Sequence, residues 1–528
     1  MPYMSVAAID AAVNHITATY PAIAQAIALP EASVEGRPIK ALKIAHGGGT
    51  SRTGVLFLGG THARELVNPE TLVGLALRLC AAYTGNTGLA FGPKSYTAAD
   101  VQLVVNGLDI FMLPMVNPDG RNFCLVPGGV PMWRKNRANH AGLACRGVDI
   151  NRNCDFLWSS GIGTSSDSCS DVFKGPGAFS EPETRNVRWM IDTLTSVACM
   201  VDVHSYSELV LYPWGDDENQ TTDPNQNFRN PAFDGQRGIV GSGYKEFIRA
   251  ADLHAHETTA ARIRGGIKTV RNRVYTAEQS ISLYPTTGTT HDYAYARNFI
   301  DTGRRRILGF TLETAREFQP ADAEKANVIT EVSVGLMECL FETLCPAEAV
   351  QSLLAALFPL TAIRTFRDSV MLTTGAGRRY EALFRRHSLE LVRLVSTDKV
   401  ALKAGASFIN VFGRLLGGEG GASTRKIADA DLTDAAGALA VFQKLGSKAL
   451  QADLVSTQKD LAGLKGLSLQ AGFKKLGGSI DPPKPAAKRP AAKPSTATRS
   501  AAKKAAAKKA TAKKAPAPRA APKRKAKP

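Results

Sequence analysis

Basic residues are missing from the N-terminal 36 positions, the first Lys or Arg being Arg37. A secretory leader needs a basic stretch ahead of its apolar core, so no such leader is expected. Uninterrupted apolar runs of about 18 residues are also missing, which argues against a membrane-spanning helix. With neither feature, the cytoplasm is the default compartment. Cysteine is scarce, eight in 528 residues with no C-x-x-C pair, which argues against a disulfide scaffold and a zinc-finger type of site.

Excess charge is nearly absent from the body of the chain. Of the net +18, the segment from Asp481 to Pro528 supplies +15, with 16 Lys or Arg against one Asp, leaving +3 for the preceding 480 residues. Any partner attracted by charge, whether a nucleic acid or an acidic surface, therefore belongs to the tail. That tail is Ala, Lys and Pro, with too little apolar surface to offset the entropy of ordering. Residues 479–528 are expected to be disordered.

What is present is the composition of a folded protein: 44% hydrophobic and 21% charged residues, close to globular averages. At about 150 residues per domain, the length suggests two or three units. Residues 1–345 alternate apolar runs with amphipathic stretches, the pattern of an α/β fold in which helices cover a central sheet. Strands are expected at Gly54–Leu58, Asp109–Met115, Ala198–Val203 and Ile307–Leu312. Each runs into a polar cluster, and ligands of such sheets gather beyond the carboxyl ends of the strands. Residues 346–478 turn to alanine and leucine with helical periodicity over 349–357 and 441–466, which predicts an α-helical region of unassigned role.

The strand GVLFL leads into GGTHARE, which places His62 and Glu65 three residues apart. On a helical turn that spacing brings both side chains to one face. Imidazole and carboxylate together suit Zn²⁺, although H-x-x-E alone is a weak motif. His204 follows 139 residues after Glu65, at the end of the strand ACMVDV. Two nitrogens and one carboxylate, with the fourth position left to water, make the open arrangement of a catalytic zinc.

The blocks THARE, MVNPDGR, WRKNR, GVDINRN, SEPETR, HSYSELVLYP, LYPTTGTTHDYAYA and GFTLET, in this order, resemble those of the zinc metallocarboxypeptidases of the carboxypeptidase A and B type. The resemblance spreads over the whole of residues 1–345. It implies a central mixed β-sheet flanked by helices, one Zn²⁺ per chain on His62, Glu65 and His204, and hydrolysis of the C-terminal peptide bond of peptides or proteins. By the same resemblance Glu313 is the general base and Arg134 polarises the scissile carbonyl. Asn151 and Arg152 grip the terminal carboxylate, Tyr284 closes over it, and Arg64 lines the next subsite. Asp149 orients the His62 imidazole. His291 stands at the base of the side-chain pocket, where the family places an apolar residue or Asp, so it argues against a strict preference for basic side chains. Cys145 and Cys169 fall where digestive members carry a disulfide, with two reduced thiols as the competing state. The family's inhibitory prosegment is not visible ahead of the catalytic pattern, so no activation step is expected. Two other readings share these residues: a hydrolase of cell-wall or γ-linked peptides on the same fold, and a zinc-binding protein without turnover that holds nucleic acid through its tail.

Overall fold

The computed structural model describes residues 3–47, 52–344, 346, 347, 350, 354, 358, 360–371, 374–416 and 425–477. The basic tail and most of the periodic stretch 349–357 lie outside these residues. Strands are β1 (Ala24–Ala28), β2 (Lys40–Ile44), β3 (Thr53–Gly59), β4 (Leu89–Phe91), β5 (Lys94–Tyr96), β6 (Leu108–Leu113), β7 (Val197–Ser205), β8 (Leu209–Tyr212), β9 (Asn219–Gln220), β10 (Glu246–Phe247), β11 (Thr276–Gln279) and β12 (Leu308–Thr314). Helices are α1 (Val6–Thr19), α2 (Val67–Thr84), α3 (Ala98–Gly107), α4 (Pro118–Leu125), α5 (Pro182–Thr193), α6 (Ala250–Arg271), α7 (Thr290–Ile300) and α8 (Asp322–Thr343).

Eight strands form one mixed sheet in the order β1-β2-β6-β3-β7-β12-β8-β11. Its centre, β6, β3, β7 and β12, is parallel, and the pairs β1–β2, β2–β6 and β12–β8 are antiparallel. The central strands are apolar on both faces because helices cover both. The two-residue alternation sorts them. Val55, Phe57, Val201 and Val203 pack with α2, α6 and α8, whereas Leu56, Leu58 and Met200 pack with α5 and α7. All four strands expected from the sequence are present. The second ends at Leu113 rather than Met115, since Pro114 has no amide proton for the ladder.

The C-terminal region is helical: α9 (Leu360–Ser369), α10 (Gly375–Thr397), α11 (Lys399–Leu416), α12 (Asp429–Leu445), α13 (Lys448–Ala462) and α14 (Leu469–Leu476). The periodic stretch 441–466 is not one helix. It breaks after Gly446, where Ser447 Oγ accepts the Leu450 amide and starts α13. This region is joined to the sheet-bearing part, because Val392, Val395, Ala401 and Phe442 belong to the same apolar cluster as Val328 and Leu340 of α8. Arg393 Nε donates to Asp100 Oδ1 at 2.8 Å across the join. Among the described residues no helix is long and apolar enough to cross a membrane.

Candidate metal centre and cleft

Three strand ends build the centre. β3 stops at Gly59, and Gly60 turns the chain with φ of +66°, where an added Cβ would lie 3.0 Å from Pro69. A left-handed, crowded position of this kind favours glycine. The next residues are not helical as the spacing suggested. They form a single turn in which the Glu65 amide donates to the His62 carbonyl at 3.2 Å, and α2 begins only at Val67. The turn suffices to place both side chains on one side. β7 ends beside them with His204, and β12 brings Glu313 into register with His204 on the adjacent parallel strand.

His62, Glu65 and His204 offer ligand atoms that all lie within 4.8 Å of one another, and all three residues are buried. His62 Nδ1 is 2.7 Å from Glu65 Oε1 and 3.0 Å from His204 Nδ1, and His204 Nδ1 is 3.2 Å from Glu65 Oε2. Two imidazole nitrogens and a carboxylate pointing at one spot are a donor set that fits Zn²⁺. Burial pushes Glu65 up, and the adjoining His62 and His204 outweigh it, so that the carboxylate form is held.

The outer edges of both imidazoles meet carboxylates. His62 Nε2 is 3.1 Å from Asp149 Oδ1, and the same Asp149 accepts from Arg134 Nε at 3.0 Å and Nη2 at 2.8 Å. His204 Nε2 lies 3.0 Å from Asp202 Oδ2, an ion-pair contact bent away from hydrogen-bond geometry. Thr61 Oγ1 donates to Asp202 at 3.0 Å and Thr290 Oγ1 at 2.7 Å. Asp202 escaped the sequence reading. Its signal was D-x-H on a strand, since residues two apart share a face. A carboxylate behind a metal-binding imidazole fixes its tautomer and raises its basicity.

Glu313 is half-buried, and its Oε2 has no hydrogen-bond partner among the described residues. Burial is the main cause that pushes its carboxyl up to about 8; His204 opposes the rise and Glu65 adds to it. Arg152 is buried, with Nη1 donating to the Asn151 carbonyl at 2.7 Å and Nε to Gly163 O at 3.2 Å. Asn151 Oδ1 accepts the Thr290 amide at 3.0 Å, which leaves its Nδ2 as the donor side. Gly288, with φ of +71°, lets the Tyr284 to Asp292 loop press on Arg152, whose carbonyl would be 2.3 Å from an added Cβ. Tyr284 is 47% exposed, and its ring centre is 5.9 Å from the Arg152 guanidinium.

Arg64, Arg134, Arg152, Arg237 and Tyr284 line one cleft of about 1150 Å³. Its wall carries five arginines and two aspartates, an imbalance that draws anions. Arg64 sits at its rim, 4.2 Å over the Phe318 ring and 3.3 Å from Asp171. His291 does not reach this wall. It is buried at the start of α7, with Nδ1 3.0 Å from Thr311 Oγ1 and Nε2 3.4 Å from Asp292 Oδ1. Burial pushes it down to about 3, so the ring is neutral. Cys145 and Cys169 are joined as a disulfide.

A sequence model of a family described as zinc carboxypeptidase matches residues 9–331. Carboxypeptidase B of Helicoverpa zea is 36% identical over 221 residues, which are 41% of this chain and 47% of that protein. Carboxypeptidase A4 of Mus musculus is 31% identical over 213 residues, 40% of this chain and 47% of that one. The chain thus spans about half the length of these curated relatives. Among solved structures, thrombin activatable fibrinolysis inhibitor superposes with a TM-score of 0.51 at 22% identity, over 64% of this chain and 73% of that chain, a likeness of fold.

Proposed function

Since the chain belongs to the zinc carboxypeptidase family, we propose that it is a metallocarboxypeptidase that removes the last residue of peptides or proteins. The observation that carries this reading is the convergence of His62, Glu65 and His204 on one point, with the Glu313 carboxyl beside them on the next strand. In this proposal those three residues hold one Zn²⁺ per chain. When bound there, the metal would supply Lewis acidity and make a water acidic enough to lose a proton near neutral pH.

The chain's own groups do the rest. Glu313, whose charged form a cation held by His62, Glu65 and His204 would favour, accepts the proton of the attacking water and returns it to the departing amine. Arg134, held flat by Asp149, donates to the carbonyl oxygen as negative charge builds there, stabilising the transition state more than the ground state. Arg152 meets the terminal carboxylate with a planar fork that lysine lacks, and Asn151 Nδ2 adds a donor. Tyr284, exposed at the mouth, is placed to fold over the bound end. Arg64 supports the residue before the scissile bond. These assignments restrict hydrolysis to chain ends, because an internal peptide has no carboxylate for Asn151 and Arg152.

His291 adjoins Thr290, whose amide Asn151 binds, and in this reading it acts on the side-chain preference from behind the cleft wall rather than as part of it. A neutral, buried imidazole gives no anion to pair with Lys or Arg, so apolar and uncharged polar side chains are the substrates expected. Incubating the chain with a peptide and its C-terminally amidated twin tests the proposal. Stepwise loss of residues from the free acid only, abolished by a zinc chelator, is the expected result. Equal cleavage of the amide, or chelator-resistant cleavage, contradicts it.

A further inference from the structure

A cavity of about 1120 Å³ lies between the C-terminal helices and the sheet-bearing part, and it reaches the sheet at Thr53, Ala198 and Leu308, in the N-terminal parts of β3, β7 and β12. The ligand atoms of the metal centre stand past the opposite ends of the same strands, so the two sites are separate. Leu391 and Val395 of α10, Phe408 and Phe412 of α11, and Leu439 and Phe442 of α12 form much of its wall.

Two features identify what fits there. First, most of the surface that the wall presents is apolar, although Arg304, Arg306, Asp252 and Glu342 also face it, and apolar surface of this kind offers water few polar partners. A void lined by apolar side chains also forfeits their dispersion contacts, and the destabilisation grows with its volume. An apolar cavity of about 150 Å³ is already large enough to take up benzene, and this one is several times larger. It also exceeds the roughly 300–1,000 Å³ of usual ligand pockets. Second, several charged groups on the wall are committed to protein partners. Arg304 Nη1 donates to Asp192 at 2.8 Å, Arg306 pairs with Asp252, and His387 Nε2 is 2.8 Å from Asp453. They set no demand for a charged ligand. A flexible hydrocarbon fits a space walled by strand starts and by residues as far along the chain as Phe473 of α14.

We propose that the helical region is a binding module for a long acyl chain, carried in the cavity between α9–α14 and the N-terminal ends of the sheet strands. Its occupant replaces contacts that the helices do not make with one another, so the loaded form is the more stable one.

The test uses the full chain, delipidated, and titrates it with the fluorescent fatty acid cis-parinaric acid. Saturable binding of one probe per chain, displaced by oleate and accompanied by a rise in Tm, is expected. Ala435→Trp and Leu432→Trp place an indole in the cavity and are expected to weaken binding about tenfold or more. Circular dichroism and bound zinc, unchanged from the parent, show that such a variant is folded. Sedimentation with dioleoylphosphatidylcholine vesicles separates the sources: probe binding without sedimentation marks a free fatty acid, and sedimentation lost in Ala435→Trp marks a membrane lipid. Absence of saturable binding to the parent chain overturns the proposal, as does unaltered binding by folded variants of both kinds.

Discussion

Glu313→Gln keeps the shape of the side chain and removes its capacity to accept a proton. In the proposed mechanism the rate then falls about 100- to 10,000-fold, while zinc, held by other residues, stays bound at the parent level. Arg152→Lys probes a different step. Loss of a bidentate carboxylate contact raises KM about 10- to 100-fold and leaves kcat less affected, since charge-assisted bonds contribute roughly 1.5–3 kcal/mol. His291→Asp is expected to move the preference toward Lys and Arg, read by mass spectrometry of a digested peptide library. Asp202→Asn tests a residue that only the structure brought forward: zinc affinity is expected to drop about 10- to 100-fold, because the His204 ring loses the carboxylate behind it. The residues proposed as ligands, base and carboxylate-binding pair could be picked out in the sequence because each sits in a contiguous block. Asp202 was not, because its role depends on where a strand turns its side chains.

At the scale of elements, the loop between β8 and α6 folds over a buried acid pair. Both Asp216 oxygens and Glu246 Oε1 have no hydrogen-bond donor among the described residues, and Arg237 Nε stands 3.8 Å from Asp216 Oδ2 and 3.5 Å from Glu246 Oε2. Burial pushes Asp216 from 3.8 up to about 7. A folded-state value above the unfolded one means that the contribution of Asp216 to stability is complete below pH 3.8 and fades as pH rises through about 7. Asp216→Asn retains the neutral shape, so its Tm is expected to gain on the parent at pH 8 and not at pH 4. A Tm difference independent of pH contradicts this. Long elements with apolar patterns were readable in the sequence, as β3, β7 and β12 show. Short ones such as β9 and β10 were not, since two-residue strands leave no period to detect. The break at Gly446 was hidden for a related reason: alanine and leucine continue on both sides of it, and only the Ser447 cap marks the new start.

For the whole molecule, the boundary near residue 345 separates two textures of sequence, and although the helical region has an apolar cluster of its own around Phe366, Leu415 and Phe473, another cluster crosses the boundary. The cluster that packs α2, α6 and α8 on the sheet continues into Val392, Val395, Ala401 and Phe442. Removing everything after residue 345 therefore exposes apolar surface of α8 and is expected to lower Tm and solubility of the remaining part. A truncated chain as stable as the parent would show that the helical region only decorates the sheet-bearing layers. The composition of residues 346–478 announced helices, but nothing in it revealed that they share a core with the sheet-bearing part, because the contacts join residues far apart in the chain.

Zinc-dependent removal of C-terminal residues, with Glu313 as base, is put to the test by one paired measurement. Zinc content and the release of the terminal amino acid from an unblocked peptide are determined for the parent chain and for Glu313→Gln. One zinc is expected in both and release only in the parent; release by zinc-loaded Glu313→Gln at the parent's rate would contradict Glu313 as the base.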